Sequence, residues 1–425
     1  MVADTEPLDQ QTPTLVGRDA AVYLHQAGST PCLAALQGVE GVWLEDTEGR
    51  RILDFHGNSV HHLGYGHPHL IDVLKRQLEE LPFTPRRFTN EPAVLLAEAL
   101  SQLWPGGPGK ILLATGGSDA IEIALKYARV ATGRFKTISF LDSYHGSGFG
   151  AISIGGREKD RSPRLGPLLP GAILVPPFYR RGNCSSDLPV DAEIWAEKSI
   201  RAIEDVFQRD GEIAAVIAEP IRSTPHIPAK WYWPRVRQLC DEFGSLLIFD
   251  EIAIGLGKTG RLFASQHFDV LPDITVLGKS LGGGVVPIAA MIARPELDVA
   301  FDLPLGHYTH EKNPFTTRAA LTTLEIIERD SLVQRAATVG SRAIAKLEHL
   351  RGRHSVIRSV RGRGLLLGIE FFDDRAESVM RAAFEKGLNC SATENRHLTL
   401  SPPLVITDSQ VDQAIDILDQ VLRSA

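Results

Sequence analysis

Residues 273–284 read Asp-Ile-Thr-Val-Leu-Gly-Lys-Ser-Leu-Gly-Gly-Gly. A Gly-Lys-Ser beside a run of glycines invites a nucleotide-binding reading. A P-loop wraps phosphates with backbone N–H groups only if a glycine stands five positions before the Gly-Lys pair. That position is Asp273 here, and a second Gly-Lys-Thr at 257–259 has Ile252 in its place. Neither is a P-loop. What remains is a short apolar run, Ile274–Leu277, that ends in a lysine, Lys279.

The same pattern recurs on both sides. Ala214–Ala218 ends in Glu219-Pro220, Leu246–Phe249 in Asp250-Glu251, and Ile111–Ala114 in Thr115-Gly116-Gly117-Ser118. Further apolar runs occupy Thr137–Leu141, Ala172–Val175 and Ile288–Ala293, with helical patterns over 119–132, 192–208 and 231–243 between them. Short apolar runs alternating with helices predict an α/β fold whose largely parallel sheet is covered on both faces. Residues 316–350 read as one long helix or two in series. Beyond 352, strands at Leu365–Phe371 and His397–Leu400 and a helix over 376–386 predict a smaller α+β unit. Thr407-Asp-Ser-Gln410 is a capping-box pattern opening a last helix, whose Val411, Ala414, Ile415, Leu418 and Leu422 share one face. The expected division is a flexible stretch over 1–15, a segment over 16–65 joining the small domain, a large domain over 66–330 and a small domain over 331–425.

Composition narrows the function class. The 425 residues are 43% hydrophobic with a formal net charge of -7, which suits a large soluble core and disfavours a dedicated nucleic-acid binder. No run approaches the roughly 18 apolar residues of a membrane span. Residues 1–15 carry three acidic and two proline residues and lack the basic start of a signal peptide. The four cysteines, Cys32, Cys184, Cys240 and Cys390, form no CxxC pair and read as core filler in a reduced, cytoplasmic setting. His56, His61, His62, His67 and His69 crowd one segment, but no carboxylate or cysteine stands at ligand spacing, so no metal is expected.

Functional groups of open α/β sheets gather at the carboxyl ends of the strands. Here those ends offer small residues opening a helix at 117–118, an aspartate and a lysine. Exposed N–H groups at a helix start hold phosphate. A phosphate cradle, a strand-end aspartate and a strand-end lysine together meet the needs of pyridoxal 5'-phosphate. The lysine forms a Schiff base and the aspartate keeps the ring nitrogen protonated.

At this point the sequence resembles the class III aminotransferases, fold-type I pyridoxal-phosphate enzymes, from about Gly41 to Ile417. The stretch from Leu247 to Gly260, followed by Pro272 to Lys279, is similar to the family's most diagnostic signature. The resemblance implies Lys279 as the Schiff-base lysine, Asp250 as the pyridinium partner and Ile252 against one ring face. Tyr144-His145-Gly146 resembles the motif that stacks an aromatic ring on the other face, and Gly117 and Ser118 match the phosphate-cradle positions. Thr309, followed by Asn313-Pro314, resembles the threonine that reaches the neighbouring subunit's cofactor phosphate, which implies a homodimer with shared sites. Glu219 matches the family's Glu-Pro, where its role is structural.

Keto-acid-using members carry an arginine before Pro-Pro-Leu, paired when idle with a glutamate five residues after the Glu of Glu-Pro. This chain has Thr399 and Thr224 there. Threonine replaces neither the charge nor the two-pronged geometry of arginine on a carboxylate. Arg86 and Arg87, Arg180 and Arg181, or Arg396 remain as candidate anion contacts, and Asn58 matches a pocket-lining position. Phe55 to Val60 and Gly306 to Pro314 are similar to the branch of (R)-1-hydroxy-2-aminoethylphosphonate ammonia-lyases. The resemblance implies a small primary amine as substrate, with β-elimination of ammonia favoured and transamination to a keto acid as the alternative. A non-catalytic scaffold or regulator on this fold is disfavoured by the presence of both Lys279 and Asp250.

Overall fold

The computed structural model describes residues 14–27, 29, 32–179 and 188–424. Residues 1–13, Arg180, Arg181 and Cys184 lie outside them.

Seven strands form the central sheet, in the order Lys110–Ala114, Ala289–Ala293, Ile274–Leu277, Leu246–Asp250, Ile213–Ala218, Lys136–Phe140, Ala172–Val175. Six run parallel; Ala289–Ala293 runs antiparallel to both its neighbours. Every residue of Ile213–Ala218, Leu246–Asp250, Ile274–Leu277 and Ala289–Ala293 is buried, which is why these strands read as unbroken apolar runs. Side chains alternate between faces. Ile217, Ile248 and Val276 pack with Ile121 and Leu125 of the helix Gly117–Thr132. Val216, Leu247 and Phe249 pack with Ile203 of Leu188–Arg209 and Trp233 of Tyr232–Phe243.

Two smaller sheets flank this layer. Leu36–Glu40, Trp43–Asp46 and Arg51–Asp54 form an antiparallel meander, and Leu388–Asn389 from the far end of the chain adds in parallel beside Arg51–Asp54. Ile357–Arg363, Leu366–Phe371, His397–Leu400 and Ser391–Thr393 form the other, wholly antiparallel. Leu53, Leu388, Ile369 and Leu418 belong to one buried cluster with Leu324 and Leu347, so one core ties both sheets to the long helices.

The stretch 316–350 resolves into two helices, Pro314–Arg329 and Leu332–Arg353. They part at Ser331, which takes a left-handed φ of 51°. Asn313 caps the first by accepting from the N–H groups of Phe315 and Thr316. Thr407 and Gln410 exchange the two capping-box hydrogen bonds at the head of Asp408–Ser424. Cys240 and Cys390 are buried, whereas Cys32 is exposed beside Asp19 and fills no core. No described helix is long and apolar enough to cross a membrane.

Candidate active site

Because six strands run parallel, their carboxyl ends share one edge of the sheet. A cavity of about 170 Å³ opens there, lined by Gly117, Ser118, Tyr144, His145, Asp250, Ile252 and Lys279, with Glu219 and Ser223 at its side. Residues from five strand ends, the outermost more than 160 positions apart in sequence, thus meet in one hollow.

Asp250 is the last residue of its strand and is buried. One carboxylate oxygen accepts the Ile252 N–H at 3.1 Å; the other lies 2.8 Å from Nδ1 of buried His145. This second contact was not visible in the sequence, where His145 passed as a neighbour of an aromatic residue. Lys279 follows Gly278 and opens a 3-10 turn with φ of 46°. Burial is the main force holding its ammonium below the usual lysine range; Asp250 and Glu219 oppose this, and Arg157 and Arg222 add to it. A larger neutral fraction makes the amine a better nucleophile and base.

Gly117 and Ser118 form the first turn of Gly117–Thr132, so their N–H groups have no intrahelical partner. A Cβ on Gly117 would fall 2.9 Å from Ile252 Cδ1, which places that isoleucine directly beside the cradle. Ser118 Oγ accepts the Ser147 N–H at 3.0 Å, fastening the 144–147 loop to the helix start. Gly146 sits at φ of 136°, and a Cβ there would strike Ser118 at 2.5 Å.

Glu219 forms an ion pair with buried Arg222, whose other donors reach the Asp142 carbonyl at 2.7 Å and Tyr179 Oη at 3.2 Å. Arg222 is a second residue that sequence spacing did not expose, because Asp142 and Tyr179 lie far from it along the chain.

The remaining expected site residues do not line this cavity within one protomer, although the Gly57–Ser59 turn that carries Asn58 packs on the turn of Lys279. Asn58, Arg87 and Thr309 are exposed and Arg86 half-buried. Asn90 donates to the Lys312 carbonyl at 2.8 Å and the Phe83 ring lies 5.3 Å from that of His310, so the 83–90 and 307–313 segments share one surface. A groove of about 590 Å³ runs beside it, bordered by Thr89, Leu303, Glu311 and Lys312. Arg396 is held away by Asp374 at 2.6 Å and the Phe372 carbonyl at 3.2 Å.

At the gate positions, Thr399 is buried with no partner for Oγ1. It pairs across the sheet with Gly368, over which Pro225, the neighbour of Thr224, is packed. The next cation in that row, Arg361 opposite Gly368, is bound to Glu370 at 2.6 Å. Among the described residues no group of three or more His, Cys, Asp or Glu side chains is disposed to hold a metal. His62 instead reaches the Gly255 carbonyl, 3.1 Å away.

The aminotransferase class-III sequence family matches residues 24–422. The chain belongs to that family. An (R)-1-hydroxy-2-aminoethylphosphonate ammonia-lyase of Vibrio splendidus is 40% identical, over 97% of this chain and 91% of its own. An acetylornithine aminotransferase of Caldanaerobacter subterraneus is 34% identical, over 90% of this chain and 93% of its own. The solved structure of an amine transaminase from an uncultivated Pseudomonas, in its pyridoxal-phosphate-bound form, superposes with a TM-score of 0.86 at 28% identity, covering 95% of this chain and 98% of that one. As a class III family member, the chain is a fold-type I pyridoxal-phosphate-dependent enzyme. The cavity's chemistry fits that cofactor: helix-start N–H groups for a phosphate, Ile252 and Tyr144 among its walls, a buried carboxylate and a desolvated amine.

Proposed function

We propose that the chain is an ammonia-lyase of a small amino-phosphonate such as (R)-1-hydroxy-2-aminoethylphosphonate, yielding phosphonoacetaldehyde and ammonia. The observation that carries this reading is the gate: a threonine, Thr399, is buried there with no hydrogen-bond partner for Oγ1 among the described residues, and the next cation in its sheet row, Arg361, is already paired. A keto-acid acceptor therefore lacks an arginine at the gate position to anchor it. The 40% identity to a lyase of that name agrees with it.

Bound pyridoxal phosphate supplies an electron sink for the carbon bearing the amine. Gly117 and Ser118 would hold its phosphate through N–H groups, Tyr144 and Ile252 would bound its ring, and Asp250, oriented by His145, would supply the anion for its ring nitrogen. Lys279, its ammonium held below the usual lysine range chiefly by burial, would anchor the cofactor at rest and then take the proton from the carbon next to nitrogen. The electron pair so freed expels the β-hydroxyl, which leaves with a proton as water. The resulting enamine takes up water to release aldehyde and ammonia. Thr309 of a second copy reaches the phosphate in a cytoplasmic homodimer, and the surface carrying Phe83, Phe88 and Phe301, the last 96% exposed, is its interface. Asn58, Arg86 and Arg87 border the substrate from that side.

Holoenzyme incubated with the hydroxy-aminophosphonate and no keto acid is expected to release ammonia and phosphonoacetaldehyde in equal amounts over many turnovers, and Lys279→Ala to release none. Turnover that stops after one equivalent per site and resumes only with pyruvate or 2-oxoglutarate would refute the lyase in favour of a transaminase. That second reading is supported by the 34% identity to an acetylornithine aminotransferase.

A further inference from the structure

The gate threonines leave open which group receives the substrate's anionic end, and a different arginine is well placed for it. Arg157 follows Gly155-Gly156, a pair pressed against the carboxyl end of the strand Lys136–Phe140. The Gly156 N–H donates to the Ser143 carbonyl at 2.9 Å, and a Cβ on Gly156 would lie 2.1 Å from the Phe140 carbonyl oxygen. Arg161 pins the same turn through the carbonyls of Ser153 and Gly155, at 3.1 and 2.8 Å. Arg157 therefore emerges on the edge of the sheet that carries the cavity. Its guanidinium carbon lies 3.7 Å from the centre of the Tyr144 ring, a wall of that cavity.

Two arginines bear electrostatically on Lys279, Arg157 and Arg222. Arg222 is consumed by Glu219, Asp142 and Tyr179. Arg157 spends only Nε, on Asp160 at 2.6 Å, and both terminal amino groups lack a partner among the described residues. A planar fork with free donors, stacked on an aromatic platform at the cavity edge, matches a phosphonate better than a lone ammonium does. Resting on the proposed function, the geometry points to Arg157 as the residue that binds the substrate's phosphonate, with Tyr144 as its platform and Asp160 as its fixed brace.

The test uses holoenzyme and two probes read by the cofactor's absorption or by calorimetry: methylphosphonate, the anion alone, and ethanolamine, the substrate without its phosphonate. Arg157→Ala is expected to weaken methylphosphonate binding, and to raise KM for the hydroxy-aminophosphonate, by roughly ten- to a hundredfold, the usual worth of a charge-assisted contact. Ethanolamine affinity is expected to change less than about threefold. Arg157→Gln, which keeps a planar head on Tyr144 without charge, is expected to behave like the alanine variant. Equal losses for both probes, or a glutamine variant that binds methylphosphonate as wild type does, would mean that Arg157 only supports Tyr144, and the assignment would fall. Methylphosphonate binding involves no turnover, so it tests Arg157 even if the enzyme proves to need a keto acid.

Discussion

Replacing His145 by phenylalanine keeps a ring in its buried place while removing the 2.8 Å contact with Asp250. Asp250 then retains one protein donor, the Ile252 N–H at 3.1 Å, in a site where its side chain has almost no water. A hydrogen bond to a buried charged group contributes about 1.5–3 kcal/mol. Unfolding entropy near 60 °C is about 2.1 cal/mol/K per residue, or roughly 0.9 kcal/mol/K over 425 residues. The expected fall in melting temperature is therefore only about 2–3 °C with saturating cofactor. Catalysis is expected to suffer more, because a carboxylate free to rotate loses alignment with the ring nitrogen, and misplacement of about 1 Å costs on the order of a hundredfold in rate. The assay pairs scanning fluorimetry with ammonia release across substrate concentrations, and the loss is expected in kcat rather than KM. A variant melting within about 0.5 °C of wild type, with kcat within twofold, would show that His145 does not orient Asp250.

Gly146→Ala forces a side chain into φ of 136° and against Ser118. Dialysis of the variant is expected to strip pyridoxal phosphate several times faster than from wild type, and equal retention would separate the 144–147 loop from the cradle. Lys258 is wholly buried, donates to the Pro402 carbonyl at 2.6 Å, and is pushed down by burial to about 7 from an ordinary 10.5. Between these values the unfolded chain binds a proton that the folded chain does not, so this lysine makes stability rise with pH across that window and is most unfavourable below it. Lys258→Met is therefore expected to compare best with wild type near pH 6 and to lose ground by pH 9; a melting difference independent of pH would contradict the shift.

The central sheet was legible because strands covered on both faces announce themselves as apolar runs, and observed boundaries moved mostly by one residue. Direction was not legible. Nothing in Ala289–Ala293 tells a parallel strand from an antiparallel one, since both bury the same side chains. Ile357–Arg363 was missed because its three arginines broke the apolar pattern, although Arg358 and Arg361 both reach Glu370. Leu388–Asn389 is too short to carry any period. At the site, Lys279, Asp250, Gly117 and Ser118 were readable from local motifs at strand ends. His145, Arg157 and Arg222 were not, because their meaning lies in partners that only folding supplies. His145 is 105 positions from Asp250, and Arg222 is 80 from Asp142.

The reversed strand has a mechanical consequence for Lys279. Every other strand of the parallel set hands the chain to a long crossover, whereas Ile274–Leu277 hands it to its own sheet neighbour, Ala289–Ala293. The lysine therefore rides on a short bridge whose two abutments are hydrogen-bonded to each other. The backbone turns left-handed at its root, with φ of 46°. If Lys279 carries the cofactor as proposed, an amine that releases and retakes its cargo in every cycle is thus a leash on a post set in the sheet's own hydrogen bonding.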